Sequence, residues 1–404
     1  MDILQKAKAV LEQPVCDHCL GRQFAQLLTG TTNKERGRML RAAAAMDADS
    51  GEKHGMDMSN FSCISLRNSK AAKEKKCSVC GGFFENIDKW ADKVVKSAKG
   101  TEFSTFLIGT KLSAGLVEKE EELWGRTGIE HCEPMKAEIN REVGKAVEAA
   151  LSKTSRAKAE LKQPQMSFML DISTGTVRRS INPVFIYGEY QKLKRGIPQT
   201  KWPDGRYKTS VEQIIAKPFM AATKGTGHKL HGMGREDIDA RCLGWRPFVL
   251  EILEPKKRFV DMKRVSKKIG KQVRVREMRP SSIDEVRKIK EATPDKTYIA
   301  VVKCKEGFER KDIAALGKLK GKIKQKTPQR VLHRRADLKR EREVKAISGK
   351  MKGKFMVIKV RGTSGLYIKE LITGDNGRTK PSMSEVLGKD CVCKELDVVK
   401  IHVK

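Results

Sequence analysis

The sequence predicts an α+β protein with three parts: an N-terminal helical module, a small α/β domain, and a C-terminal mixed, largely antiparallel sheet with flanking helices. Three observations predict it. Apolar residues recur at helical spacing over residues 1–98, strand-like alternation brackets an amphipathic helix over 99–183, and strands and helices alternate over 184–404.

In the first part, Ile3, Leu4, Ala7, Val10 and Leu11 share a helical face, and LGRQFAQLL reads as a second helix closed by Gly30 as its C-cap. Asn33 is expected to cap a third helix, NKERGRMLRAAAAM. A fourth follows in ENIDKWADKVVKSAK, where Ile87, Trp90, Ala91, Val94 and Val95 line one side. The second part carries the strand TEFSTFLIGTKL, the helix KAEINREVGKAVEAALSK and the strand QMSFMLDIS, whose Met166, Phe168 and Leu170 alternate with polar neighbours. The third opens on VFIYGEY and runs into a basic loop, residues 192–206, with the Gly, Pro and Trp of an ordered excursion. The glycine-rich run KPFMAATKGTGHKLHGMGRED is expected to be too irregular for a helix. Beyond it come the strand RPFVLEIL, the helix SIDEVRKIKEA, the strands TYIAVVKC and KFMVIKVRG, the helix LYIKELIT and the strand ELDVVKIHV.

Lys and Arg number 84 against 50 Asp and Glu, a net charge of +34 over 404 residues. A field of that size suits a polyanion, nucleic acid before anionic membrane. Hydrophobic residues at 39% are enough to bury real cores. No apolar run is long enough to span a bilayer and MDILQKAKAVLEQ lacks a signal-peptide core, so the reading is an intracellular, cytoplasmic protein without a membrane partner, expected to be a monomer. Its ten cysteines are then expected to be reduced thiols or metal ligands.

Cys16 with Cys19 and Cys77 with Cys80 form two C-x-x-C pairs, the spacing that lets two thiolates occupy adjacent vertices of a tetrahedral Zn²⁺ site. Gly21 and Gly81 follow as knuckle turns, and the separation of the pairs implies a structural metal that ties helices together. Cys63, Cys132, Cys242, Cys304, Cys391 and Cys393 read as buried small hydrophobes. GREDIDARCLGW places Glu236, Asp237 and Asp239 between two arginines, after a segment whose glycines let a backbone approach phosphate or ribose and before a strand that would anchor the loop. A salt-bridged surface loop and a catalytic carboxylate both fit that pattern. The segments PKKRFVDMKRVSKKIGKQVRVR, KLKGKIKQK and HRRADLKREREVK add basic surface.

HGMGREDIDARCLGWRPFVLEI resembles the archaeal and eukaryotic tRNA pseudouridine synthases that act on T-loop uridines 54 and 55, and its GRED resembles the GR-x-D element of pseudouridine synthases at large. KLKRGIPQTKW, KTYIAVVKC, QRVLHRRAD and GLYIKELITGDNGRTKPS are similar to the same family, in the same order. The resemblance implies a pseudouridine synthase catalytic domain at 184–404, preceded by a zinc-binding module at 1–98 and a THUMP-type RNA-binding domain at 99–183. It implies Asp237 as the catalytic aspartate, with Asp239 in reserve, Tyr298 as the residue stacking on the target base, and Tyr367 and Lys369 as a wall and an ion-pair partner beneath the aspartate. Many pseudouridine synthases carry arginine where Lys369 stands, and a lysine cannot make the planar bidentate pair. Arg195 and Lys201 fall in a thumb-like loop, and His228, Lys229, Arg235, Arg334 and Arg335 are candidate RNA contacts.

The chemistry implied is isomerisation of uridine to pseudouridine in the T-arm of tRNA after base flipping, with structural zinc and no cofactor for the reaction. Two rivals stand beside it. Another THUMP-type tRNA modification enzyme would need a cofactor loop whose spacing KGTGHKLHGMG lacks. A non-catalytic zinc-containing tRNA- or rRNA-binding protein would explain the charge and the cysteines, but not the order of GRED, KTY and LYIK.

Overall fold

The computed structural model describes residues 2–51, 54–67, 72–152 and 155–403, without the side chain of Arg334. The chain forms two compact units, Met1–Asn182 and Pro183–Lys404.

The first unit begins with α1 (Ile3–Val10), α2 (Asp17–Gly21) and α3 (Asn33–Asp49). The helix expected over LGRQFAQLL is only the end of α2 plus one 3₁₀ turn, Arg22–Phe24. Gly21 is helical here rather than a knuckle. A Cβ at Gly21 would lie 1.8 Å from the Asn33 carbonyl oxygen and one at Gly37 1.9 Å from that of Asp17, so α2 and α3 pack backbone to backbone. Thr32, not Asn33, caps α3, in a capping box with Glu35. Asn33 turns inward and donates to Glu133.

Then follow α4 (Ile87–Ala98), β1 (Thr105–Lys111), α5 (Ala114–Thr127), α6 (Met135–Leu151), β2 (Lys158–Ala159), β3 (Met166–Asp171) and β4 (Thr176–Ile181). The strands make a sheet in the order β2-β1-β3-β4, parallel except for β3 with β4. α4 packs on α6 and β4, and one apolar core runs from Ala7 through Trp90 to Phe168.

The second unit comprises β5 (Val184–Lys192), α7 (Val211–Thr223), β6 (Gly227–Gly232), β7 (Arg241–Leu253), α8 (Met262–Ser266), β8 (Val273–Ser281), α9 (Ile283–Glu291), β9 (Asp295–Cys304) and α10 (Arg310–Ala315). It continues with β10 (Gly321–Lys326), β11 (Lys339–Lys352), β12 (Phe355–Gly362), α11 (Ile368–Thr373), β13 (Thr379–Lys380), α12 (Met383–Leu387) and β14 (Cys391–His402). Its sheet runs β13-β10-β11-β12-β9-β14-β7-β5-β8, with β6 also on β7; among the described strands of this sheet only β14 and β7 pair in parallel.

The run expected to be irregular is partly regular. KPFMAAT closes α7, because Val211, Ile215, Ala216 and Phe219 bury a helical stripe that outweighs Pro218, and Gly227–Gly232 pairs antiparallel with β7. Two of the cysteines expected to be reduced, Cys304 and Cys391, are disulfide-bonded, since the β9–β14 register sets them directly opposite. Cys63 is exposed, and Cys132 and Cys393 are half-buried, so of the six read as buried hydrophobes only Cys242 is a buried free thiol.

Candidate active site

The parallel junction of β7 and β14 opens a cleft of about 250 Å³ in the second unit. Asp237 and Arg235 enter it from the loop before β7, Tyr298 from β9, Arg330 and Arg335 from the segment between β10 and β11, and Tyr367 with Lys369 from the start of α11. Leu366, Leu396 and Val398 supply apolar wall. The structure thus gathers Asp237, Tyr298, Tyr367 and Lys369 from three distant parts of the chain.

The three carboxylates of the acidic run point three ways. Glu236 turns into the core, 7% exposed; the Tyr190 hydroxyl donates to it at 3.1 Å, and Arg246 and Lys192 lie 3.1 and 3.8 Å from it. Asp239 faces solvent and is held by Lys369 at 2.6 Å. Glu236 and Asp237 both line the cleft, but the Glu236 side chain is 1% exposed and engaged in the core, which leaves Asp237, 31% exposed, as the accessible carboxylate there. Its backbone is fixed from below, where buried Lys192 donates to the carbonyls of Asp237, Ile238 and Ile197 at 3.0, 3.2 and 2.9 Å. Gln199 donates to Gly234 and to the Tyr190 hydroxyl, each at 2.9 Å. Gly234 has φ +78°, and a Cβ there would approach Arg246 and Lys296 to 3.2 Å, so the turn that presents Asp237 requires glycine.

The Asp237 carboxylate receives a two-point clamp from Arg330: Nη1 donates to Oδ1 at 3.1 Å and Nη2 lies 3.1 Å from Oδ2. Arg330 in turn donates from Nε to buried Glu370 at 2.7 Å. Burial opposes its charge, but Glu370 and Asp237 hold the guanidinium well above its ordinary range. The planar pair that Lys369 could not make therefore comes from another residue. Lys369 lies 3.6 Å from Asp237 and belongs chiefly to Asp239, whose acidity burial opposes and Lys369 restores, leaving it below the usual carboxylate range. Arg330 lies in QRVLHRRAD, a segment singled out by resemblance, yet nothing in the sequence separates it from its neighbouring arginines.

Tyr298 lies between β12 and β14, 9% exposed, its hydroxyl pushed up to about 12 by burial. Tyr367 caps the α11 N-terminus, with both its N–H and carbonyl bonded to the Gln325 amide, and its hydroxyl accepts from Arg335 at 2.8 Å. Arg195 is spent inside the unit: it donates to the Asp239 and Leu396 carbonyls and pairs with Glu395 and Asp397, anchoring the base of the 192–206 loop to β14. Lys201 is exposed on that loop. On β6, His228 pairs with Glu212, and exposed Lys229 and half-buried His231 both face Glu251.

In the first unit Cys16, Cys19, Cys77 and Cys80 bring their sulfurs within 4.8 Å of one another, and Cys16 and Cys80 stand 3.7 Å apart. A tetrahedron with metal–sulfur bonds of about 2.3 Å sets sulfurs about 3.8 Å apart, so this donor set fits a tetrathiolate metal ion. Gly81 at φ +60° makes the knuckle after Cys80, and Arg22 donates to the Cys19 sulfur at 3.0 Å. His18 stacks on Phe84 and bonds Glu138 at 2.8 Å, outside the sulfur group.

Residues 185–402 match the family model described as Pus10, C-terminal, and residues 90–171 the one described as Pus10 THUMP domain, archaeal, which begins inside α4. The chain is 38% identical to the tRNA pseudouridine synthase Pus10 of Methanothrix thermoacetophila over 99% of this chain and 94% of that one. The protein of the same name from Pyrococcus furiosus is 38% identical over 99% and 98%, and that from Methanocaldococcus jannaschii 40% identical over 96% and 92%. Among the described residues no helix is long and apolar enough to cross a membrane.

Proposed function

The chain belongs to the Pus10 family of tRNA pseudouridine synthases, isomerases of uridine in tRNA, and from that premise we propose that it converts T-loop uridine 55, and uridine 54 with it, using Asp237 as the catalytic carboxylate. One observation carries the assignment: of the two carboxylates of the run that line the cleft, Glu236 is engaged in the core, whereas Asp237 is partly exposed, clamped at both oxygens by Arg330 in the cleft that Tyr298 also lines.

The isomerisation breaks C1′–N1 and joins C1′ to C5 within one nucleotide, so it conserves atoms and electrons and needs no cofactor. It does need a carboxylate at the sugar, and Arg330 orients that of Asp237 by contacting both of its oxygens. The flipped base stacks on Tyr298 and is retained by Tyr367 and the apolar wall, with unstacking offset by these contacts. The loop 192–206, with Lys201, closes over the substrate as a thumb, while Arg235, Arg335, His228 and Lys229 meet its phosphates; the Arg334 side chain, also a candidate contact, lies outside the described residues. Residues 1–98 form the metal module, in which the four cysteines hold zinc in a structural role, and the domain from 99 to 183 engages tRNA. The enzyme works as a monomer in the cytoplasm, where its substrate resides.

Pseudouridine mapping on an unmodified tRNA transcript incubated with the chain alone tests this. Conversion of uridines 55 and 54 is expected, and replacement of either by cytidine removes only that signal. Tight binding of tRNA with no conversion would contradict the proposal.

A further inference from the structure

Lys296 stands two residues before Tyr298 on β9, so both side chains leave the same face of the sheet and both line the cleft. It is 6% exposed, and among the described residues no hydrogen-bond or ion-pair partner is found for its ammonium group. Its strand neighbours, Gly362 on β12 and Ile401 on β14, are uncharged, whereas Arg361 and Lys400 pair with Thr297 and face the other side. The groups that face it are Arg246 and Cys242 of β7 and Glu236 of the loop. The Glu236 carboxylate is already engaged by Tyr190, Arg246 and Lys192. Three buried cations therefore surround one buried carboxylate, and the uncompensated charge is the one that reaches the cleft. Burying a lysine without a counter-ion is costly, and such a cost persists where an anion arrives as part of function.

The reaction supplies one. When C1′–N1 breaks, the electron pair leaves with the base, and uracil becomes an anion until C5 bonds to C1′; the C5 proton then leaves and N1 takes one up. Granting the pseudouridine synthase reading, we propose that Lys296 is a further catalytic residue, whose ammonium group faces the detached uracil and stabilises its negative charge between cleavage and rejoining. Asp237 and Arg330 act at the sugar; Lys296 acts on the leaving base, at the edge of the ring stacked on Tyr298. A preorganised charge of this kind acts in the transition state and not on the neutral substrate. Burial, with Arg246 beside it, pulls the Lys296 pKa down to about 8, so the group is charged at neutral pH and the rate falls as pH rises through that value.

The experiment compares the full-length wild type with Lys296→Gln and Lys296→Met under single turnover on a tRNA transcript carrying uridine or 5-fluorouridine at the target position. On uridine both variants lose about 10²- to 10³-fold in rate with tRNA affinity unchanged, and the decline above pH 8 disappears. On 5-fluorouridine, followed as loss of the unreacted nucleoside, fluorine stabilises the departing anion by itself, so the gap between wild type and variant narrows. A purely packing role would depress both substrates equally, and that result overturns the proposal, as does a wild-type rate in Lys296→Gln. Should the glutamine variant fail to fold, the methionine variant carries the same comparison. A wild type that makes no pseudouridine at all overturns the enzymatic reading itself; an active wild type with indifferent variants overturns only the role of Lys296.

Discussion

Removing Arg330 separates its two partners. Toward Asp237 it offers two contacts at 3.1 Å, and the pair is about one-third exposed, 36% for Arg330 and 31% for Asp237. Charge-assisted hydrogen bonds are worth roughly 1.5–3 kcal/mol when buried, and screening at this exposure reduces that to about 1–2 kcal/mol. Arg330→Lys keeps a charge but loses the fork, so its single-turnover rate should fall about tenfold; Arg330→Met also releases the carboxylate to rotate, for about 100-fold or more. Toward Glu370, which is 4% exposed, loss of the guanidinium leaves a buried carboxylate unpaired at a cost of about 3 kcal/mol. That should lower the melting temperature of Arg330→Met by about 6–12 °C. The assay is pseudouridine formation at saturating enzyme, with tRNA affinity by filter binding and melting measured on the same preparations. A methionine variant as fast as wild type, or a rate loss wholly accounted for by weaker tRNA binding, would refute the clamp.

The metal reading predicts zinc in the purified protein by elemental analysis, its loss in Cys77→Ser, and a lower melting temperature for that variant or after chelation, because a tetrathiolate ion contributes folding energy directly. Lys296 gives a pH-dependent stability. Its folded pKa is about 8 against an ordinary 10.5, so the unfolded chain binds the proton more tightly between those values and stability rises with pH through that window. Lys296→Met should flatten that dependence in chemical denaturation and stabilise the protein at pH 7, by at most about 3 kcal/mol.

The polymer-level pattern of the fold was readable where side chains announce it. β9, β12 and β14 read as strands because Val, Ile and Phe recur along them. β11 did not, because KREREVKAISGKMK is mostly exposed and charged; its extension is set by pairing with β10 and β12. α5 was hidden for a related reason, burying only Glu120, Leu123 and Thr127 of an acidic segment. At the site, GRED, KTY and LYIK carried enough pattern to single out Asp237, Tyr298, Tyr367 and Lys369. Arg330 and Lys296 carried none: one is an arginine among arginines in a 3₁₀ turn, and the other alternates with polar neighbours like any solvated lysine. Both gain meaning only when residues 237, 298 and 330 meet across the β7–β14 junction.

The most direct test of the account is pseudouridine mapping with Asp237→Asn and Asp239→Asn on the same tRNA transcript. Asp237→Asn should bind tRNA as tightly as wild type and convert nothing. Asp239→Asn should keep its rate within about tenfold, because its pair with Lys369 is exposed and worth little. Conversion by Asp237→Asn, or an inactive Asp239→Asn beside an active Asp237→Asn, would contradict the assignment of the catalytic carboxylate.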